Sequence, residues 1–253
     1  MTQSIMRCFL AVRARYGTGD FLKLNKRNCN IRFRLTPIGA DFMRVHLRIG
    51  GDNHYFYPSC VMGDQFSSFL TAIYCLYNEG FDYHQLHSRQ WKRRFGCEFQ
   101  TPNEENGHRY FKSIPITWDE EGRIIDVTVS RFSAEKDCFA IAPKDAPDPI
   151  NIEFFYKKGK FQYTVDGRDL CYAVARGYTE AIKKYGFQGY LRSTGQQYIG
   201  DTFEMEELLF VKAYALDALE ARELHIAWER PKGWMGAKKS SFENEIELLL
   251  FDM

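Results

Sequence analysis

Asn30-Ile31-Arg32-Phe33-Arg34-Leu35-Thr36, followed by Phe42-Met43-Arg44-Val45-His46-Leu47-Arg48-Ile49, decides the reading of the fold. In both stretches apolar and polar residues alternate: Ile31, Phe33 and Leu35 against Arg32, Arg34 and Thr36, then Met43, Val45, Leu47 and Ile49 against Phe42, Arg44, His46 and Arg48. A strand turns successive side chains to opposite faces, so a period of two predicts strands with one buried and one wet face. Pro37-Ile38-Gly39-Ala40-Asp41 and Gly50-Gly51-Asp52-Asn53 read as turns, the second leading into a strand at Tyr55-Phe56-Tyr57. Polar alternation of this kind belongs to antiparallel hairpins rather than to a doubly covered parallel sheet.

Outward from this meander the pattern repeats. Residues 5–16 read as an earlier strand. Phe111, Ile114, Ile116 and Trp118 lead through Asp119-Glu120-Glu121-Gly122 into Ile125, Val127 and Val129. Residues 138–141 give a short strand, and 150–156 and 161–165 two more around Lys157-Lys158-Gly159-Lys160. The period then changes. Asp64 precedes Phe66, Phe69, Leu70, Ile73, Leu76 and Tyr77, spaced three and four apart, which predicts a helix ending at Gly80. A second helix starts at Asp166 or Asp169 and is capped by Gly186. A third starts at Asp201 or Thr202 and buries Leu208, Leu209, Val211, Ala215, Leu216 and Leu219. Ser240-Ser241-Phe242-Glu243 has capping-box spacing before Ile246-Glu247-Leu248-Leu249-Leu250, a short helix with a strand as its rival. The expected fold is α+β: a curved, mostly antiparallel sheet with three or four amphipathic helices.

The chain has 253 residues, enough for one large domain or two small ones. One domain over 1–253 is expected. The proline-rich stretch 142–149 is the place where two lobes would part. A net charge of +1 gives no basic excess of the kind nucleic-acid binders carry. Seven cysteines, without a Cys-x-x-Cys, read as reduced thiols in a reducing, cytoplasmic compartment. The apolar patch 8–12 is too short for a signal-peptide core, and no run of about 18 apolar residues predicts a membrane span.

Chemistry-bearing groups are few. His84-x-x-His87 with Cys97 and His108 has the residue types of a zinc site, without the spacing of a finger or ribbon; exposed polar residues are the plainer reading. Cys60, after Tyr57-Pro58-Ser59, is a candidate nucleophile against the alternative of an ordinary buried thiol. Asp119-Glu120-Glu121 reads as a solvated hairpin turn because Gly122 follows. Nucleotide, metalloprotease and hydrolase signatures are missing. No cofactor or metal is therefore expected. Trp91, Arg93 and Arg94 lie in the basic run 89–94, and Tyr156 stands beside Lys157 and Lys158. Trp, Tyr and Arg anchor protein interfaces, and cations with rings also hold single-stranded nucleic acid.

Three features together resemble bacterial immunity-type proteins of polymorphic toxin systems. They are the hairpins ending in Tyr57-x-Ser59, the helix Asp64-x-Phe66-x-x-Phe69-Leu70-x-Ala72, and the strand-turn-strand Trp118-Asp119-Glu120-Glu121-Gly122-x-Ile124. The resemblance spans about residues 40–130. It implies a non-enzymatic protein that neutralises a toxin by direct complex formation, and it carries over no site residue. Many such proteins are acidic, and this chain is not. The expected function is binding of one protein partner through Trp91, Arg93, Arg94 and Tyr156. The alternatives are a cysteine- or metal-dependent enzyme and a nucleic-acid-binding module. The cation rows Arg32-Arg34 and Arg44-His46-Arg48 add a second candidate surface, on the sheet itself.

Overall fold

The computed structural model describes residues 29–39, 42–59, 65–77, 110–133, 148–156, 159–193, 205–216, 227–228, 238–239 and 242–253. The opening alternation forms β1 (Ile31–Gly39) and β2 (Phe42–Ile49), which pair antiparallel with Ile31 opposite Ile49 and Leu35 opposite Val45. Gly50, at φ 58°, and Gly51 turn the chain into β3 (Asp52–Phe56). Only a residue without a Cβ takes that positive φ freely, which is why a two-residue hairpin forms there. β1 runs through Pro37 to Gly39, with a register shift there, where the sequence predicts a turn. β1 is an edge strand, so the amide that proline lacks is not needed by a further strand.

A second antiparallel sheet holds β4 (Tyr110–Asp119), β5 (Ile124–Ser133), β6 (Pro149–Tyr156) and β7 (Gly159–Asp166) in sequence order. The strands are thus divided between two sheets, and β8 (Ala227–Trp228) and β9 (Lys238–Lys239) form a separate two-residue ladder. The inner faces of the two large sheets meet through aromatic rings. Phe56 packs on Trp118 and Phe154 at 5.4 Å, and His54 packs edge-on to Phe154 at 4.6 Å. Ser59 ties the sheets by backbone: its N–H reaches the Asp119 carbonyl at 2.9 Å.

Helix α1 (Gln65–Tyr77) buries Phe69, Leu70, Ile73, Leu76 and Tyr77 as its spacing predicts, and Trp118 Nε1 donates to Ser68 Oγ at 3.1 Å. Helix α2 (Gly167–Ser193) follows β7 without a loop. Asp166 is its cap, with Oδ1 accepting the N–H groups of Arg168 and Asp169. Gly186, at φ 70° and ψ 161°, breaks the helix as expected for a cap, but the chain resumes helix beyond it to Ser193. Phe187 and Tyr190 in that resumed turn still pack on the core. Helix α3 (Met205–Ala215) and helix α4 (Phe242–Leu250) complete the fold; α4 settles the helix-or-strand ambiguity of the tail. Asp201 and Thr202 lie outside the described residues, as do the segments 5–16 and 138–141. One continuous core joins both sheets and all four helices. Among the described residues no helix is long and apolar enough to cross a membrane.

Candidate binding surface

The outer face of the first sheet is built from three cross-strand rows. Arg32 stands opposite Arg48, and Arg48 opposite Asn53. Arg34 stands opposite His46, and His46 opposite Tyr55; Thr36 stands opposite Arg44. Arg32, Arg34, Arg44 and Arg48 are exposed, while their neighbours along each strand are buried. The alternation that fills the core therefore turns every guanidinium of these strands to solvent. Rows repeat about every 6.8 Å along the strands.

Among the described residues no carboxylate lies within ion-pair distance of these four arginines. Like charges directly opposite one another weaken a sheet, so the face is not arranged for stability. One side of it is held in place: His46 and Tyr55 stack at 4.5 Å and 11°, and His46 Nε2 hydrogen-bonds Asn53 Oδ1 at 3.0 Å. Tyr55 and Tyr57 are exposed at the same margin. The Tyr57 N–H donates to Glu120 Oε1 at 2.6 Å. Glu120 also pairs with Arg123, so a carboxylate of the β4–β5 turn fixes the strand end that carries Tyr57. The hairpin turn forms as the sequence predicts, with Glu121 and Gly122 at positive φ and Asp119 Oδ1 accepting the Gly122 N–H at 2.7 Å. It is not solvated throughout, however: Asp119 is buried and the Glu120 side chain is largely covered.

Of the anchors expected from sequence, Trp91, Arg93 and Arg94 lie outside the described residues. Tyr156 closes β6 half-buried, edge-on to Phe56 at 5.3 Å, on the side of its sheet that faces the core. Cys60, His84, His87, Cys97 and His108 also lie outside the described residues. Among the described residues no group of three or more His, Cys, Asp or Glu is placed to hold a metal.

Two polar clusters that the sequence does not announce are buried. Asp148 Oδ2 accepts the hydroxyls of Tyr77 at 2.6 Å and Tyr214 at 2.5 Å, and Oδ1 accepts Arg131 Nε at 2.9 Å. Arg168 lies over the Tyr214 ring. The cluster joins α1, α2, α3 and β5, and Asp148 belongs to the very stretch that reads as a linker. Burial, and next the Asp148 charge, push the Tyr214 hydroxyl far up; burial also pushes up the Tyr77 hydroxyl and the wholly enclosed Cys171 thiol beside it. A protonated, enclosed thiol is no nucleophile. Lys212, 0 % exposed, donates to the carbonyls of Leu249 at 3.1 Å and Phe251 at 2.8 Å, closing the end of α4. Burial, and then Lys183, lower its pKa to about 7. Both clusters are sealed from solvent and hold elements together.

The chain matches no known protein family, no curated protein and no solved structure.

Proposed function

We propose that this protein is a non-enzymatic binding module that holds an acidic protein partner against the outer face of its first sheet. The observation that carries the proposal is the set of Arg32, Arg34, Arg44 and Arg48 in cross-strand register, exposed and without a carboxylate partner among the described residues. The cations of these rows are all arginine, with exposed tyrosines beside them and no lysine. Arginine and tyrosine are enriched at protein interfaces and lysine is depleted. Arginine can also meet a carboxylate with two parallel hydrogen bonds, which a lysine cannot. The net charge of +1 leaves this face as a local feature, suited to one complementary patch more than to a long polyanion. The resemblance to immunity-type proteins makes a toxin with an acidic face the partner to test first, met in a reducing, cytoplasmic compartment.

The test is capture from lysate of the native host on the immobilised full chain, beside an Arg32→Glu/Arg34→Glu/Arg48→Glu variant. An acidic protein retained by the first and lost from the second is expected. Capture that survives the charge reversal, or that nuclease treatment abolishes, defeats the proposal.

A further inference from the structure

Gly177 of α2 touches β1 at the backbone. A Cβ placed on it would lie 2.6 Å from the Phe33 carbonyl oxygen, so only glycine lets the helix lie this close to the edge strand. On either side of this contact the seam between strand and helix opens into a hollow. One, of about 260 Å³, is lined by Arg32, Arg48, Arg176 and Glu180. The other, also about 260 Å³, is lined by Arg34, Thr36, Lys184 and Glu180. Glu180 is bound to Arg176 at 2.7 Å and borders both hollows. The first hollow thus has an excess of two cations and the second of one.

We propose that this seam takes an extended acidic segment of the partner, with carboxylate side chains at alternate positions seated in the two hollows. This rests on the reading of the cationic face above and names what part of the partner enters it. Three observations favour a peptide. Arg32 and Arg34 are two residues apart on β1, and alternate side chains of an extended partner repeat at the same spacing of about 6.8 Å. Glu180 borders both hollows, where a peptide offers backbone N–H donors and a phosphodiester linkage offers none. Bases need free ring faces for stacking. Of the rings lining the hollows, Phe33 and Tyr172 are buried, and Tyr185 is half-buried with Lys184 Nζ over its ring at 4.9 Å.

Fluorescence anisotropy on the full-length protein tests this with three probes of equal length. They are a peptide alternating Asp and Thr, its isomer with the aspartates in one block, and oligo-dT. The alternating peptide is expected to bind about fivefold or more tighter than the block isomer. Lys184→Glu, on the helix side and outside the sheet face, is expected to weaken it about tenfold, as loss of a close charge pair does. Gln162→Glu on the second sheet is expected to leave it unchanged. Equal binding of the two isomers, no binding of either, or tighter binding of oligo-dT overturns the assignment of the seam. Those results do not touch the capture experiment, which stands or falls by the sheet arginines. Lys184→Glu is exposed and its fold is checked by circular dichroism; if it melts as the parent does and binds the alternating peptide equally well, the seam is not the site.

Discussion

The two sheets solve the same inner problem and differ on the outside. Both bury every second residue, Phe33 and Leu47 in the first and Val127 and Phe154 in the second. On the outer face of the second sheet the described residues pair with one another across the strands. Lys160 meets Glu153 at 2.7 Å across β6 and β7, and Asn151 meets Thr164 at 2.7 Å. Thr117 donates to Asp126 across β4 and β5. Its arginine on β5, Arg131, is drawn inside and neutralised by Asp148. The first sheet instead sets Arg32 against Arg48 and Arg34 against His46, in the open. Core packing dictates only the inward half of each strand. What occupies the outward half is free to serve another end, and here opposite-charge pairing, the choice that would aid folding, is not taken.

The comparison breaks first at Asp148 and Arg34. Asp148→Ala would leave Arg131 buried without its carboxylate and two tyrosine hydroxyls without their acceptor. A loss of about 3–5 kcal/mol is expected in chemical unfolding, the range for breaking a buried pair from one side. Arg34→Ala is expected to change stability by less than about 0.5 kcal/mol, as exposed substitutions do. If the two losses were equal, the arginines of the first sheet would be structural and the contrast would fail.

A smaller effect sharpens it. Arg48→Thr removes a like charge opposite Arg32 and places a β-branched residue in a strand. It is expected to raise stability by about 0.2–1 kcal/mol, while Lys160→Thr on the second sheet lowers it by no more than the same amount. Thermal melts at low salt would show opposite signs, and high salt would shrink both.

The smallest effect concerns the joint between the sheets. His54 on β3 is buried, and its Nε2 lies 2.8 Å from the hydroxyl of Tyr163, which itself donates to Asp52 at 2.9 Å. That leaves His54 Nε2 as the donor to the Tyr163 oxygen. Burial lowers the His54 pKa below 6.5, against a smaller opposing pull from Asp52, and raises that of Tyr163 to about 12. With the folded pKa depressed, the unfolded chain binds the proton first as pH falls through 6.5. Stability is therefore lost on acidification below 6.5 and regained above it. His54→Gln should flatten that part of the stability profile. An unchanged slope would place the acid sensitivity elsewhere.

The hydrophobic pattern by itself determined the strands β1 to β7, their alternation, the first three helices and the cation rows of the first sheet; it left α4 open against a strand, and the folded chain settled that as helix. Each of these follows from a local period, two for strands and three to four for helices, which neighbours along the chain fix without help. The tertiary structure decided the rest. It divided the strands into two sheets, because a sheet edge is set by which strands meet, and alternation does not encode that. It turned Asp148, in a stretch rich in prolines, into the acceptor for Tyr77, Tyr214 and Arg131, groups 71, 66 and 17 residues away. It buried Lys212 within a helix whose sequence reads as amphipathic, because the carbonyls at the end of α4 need a donor there. It also brought Arg176 and Lys184 of α2 beside Arg32 and Arg34 of β1, where Gly177 allows the approach. Partners so far apart in sequence leave no local signature, since chain folding and not residue spacing brings their charges together.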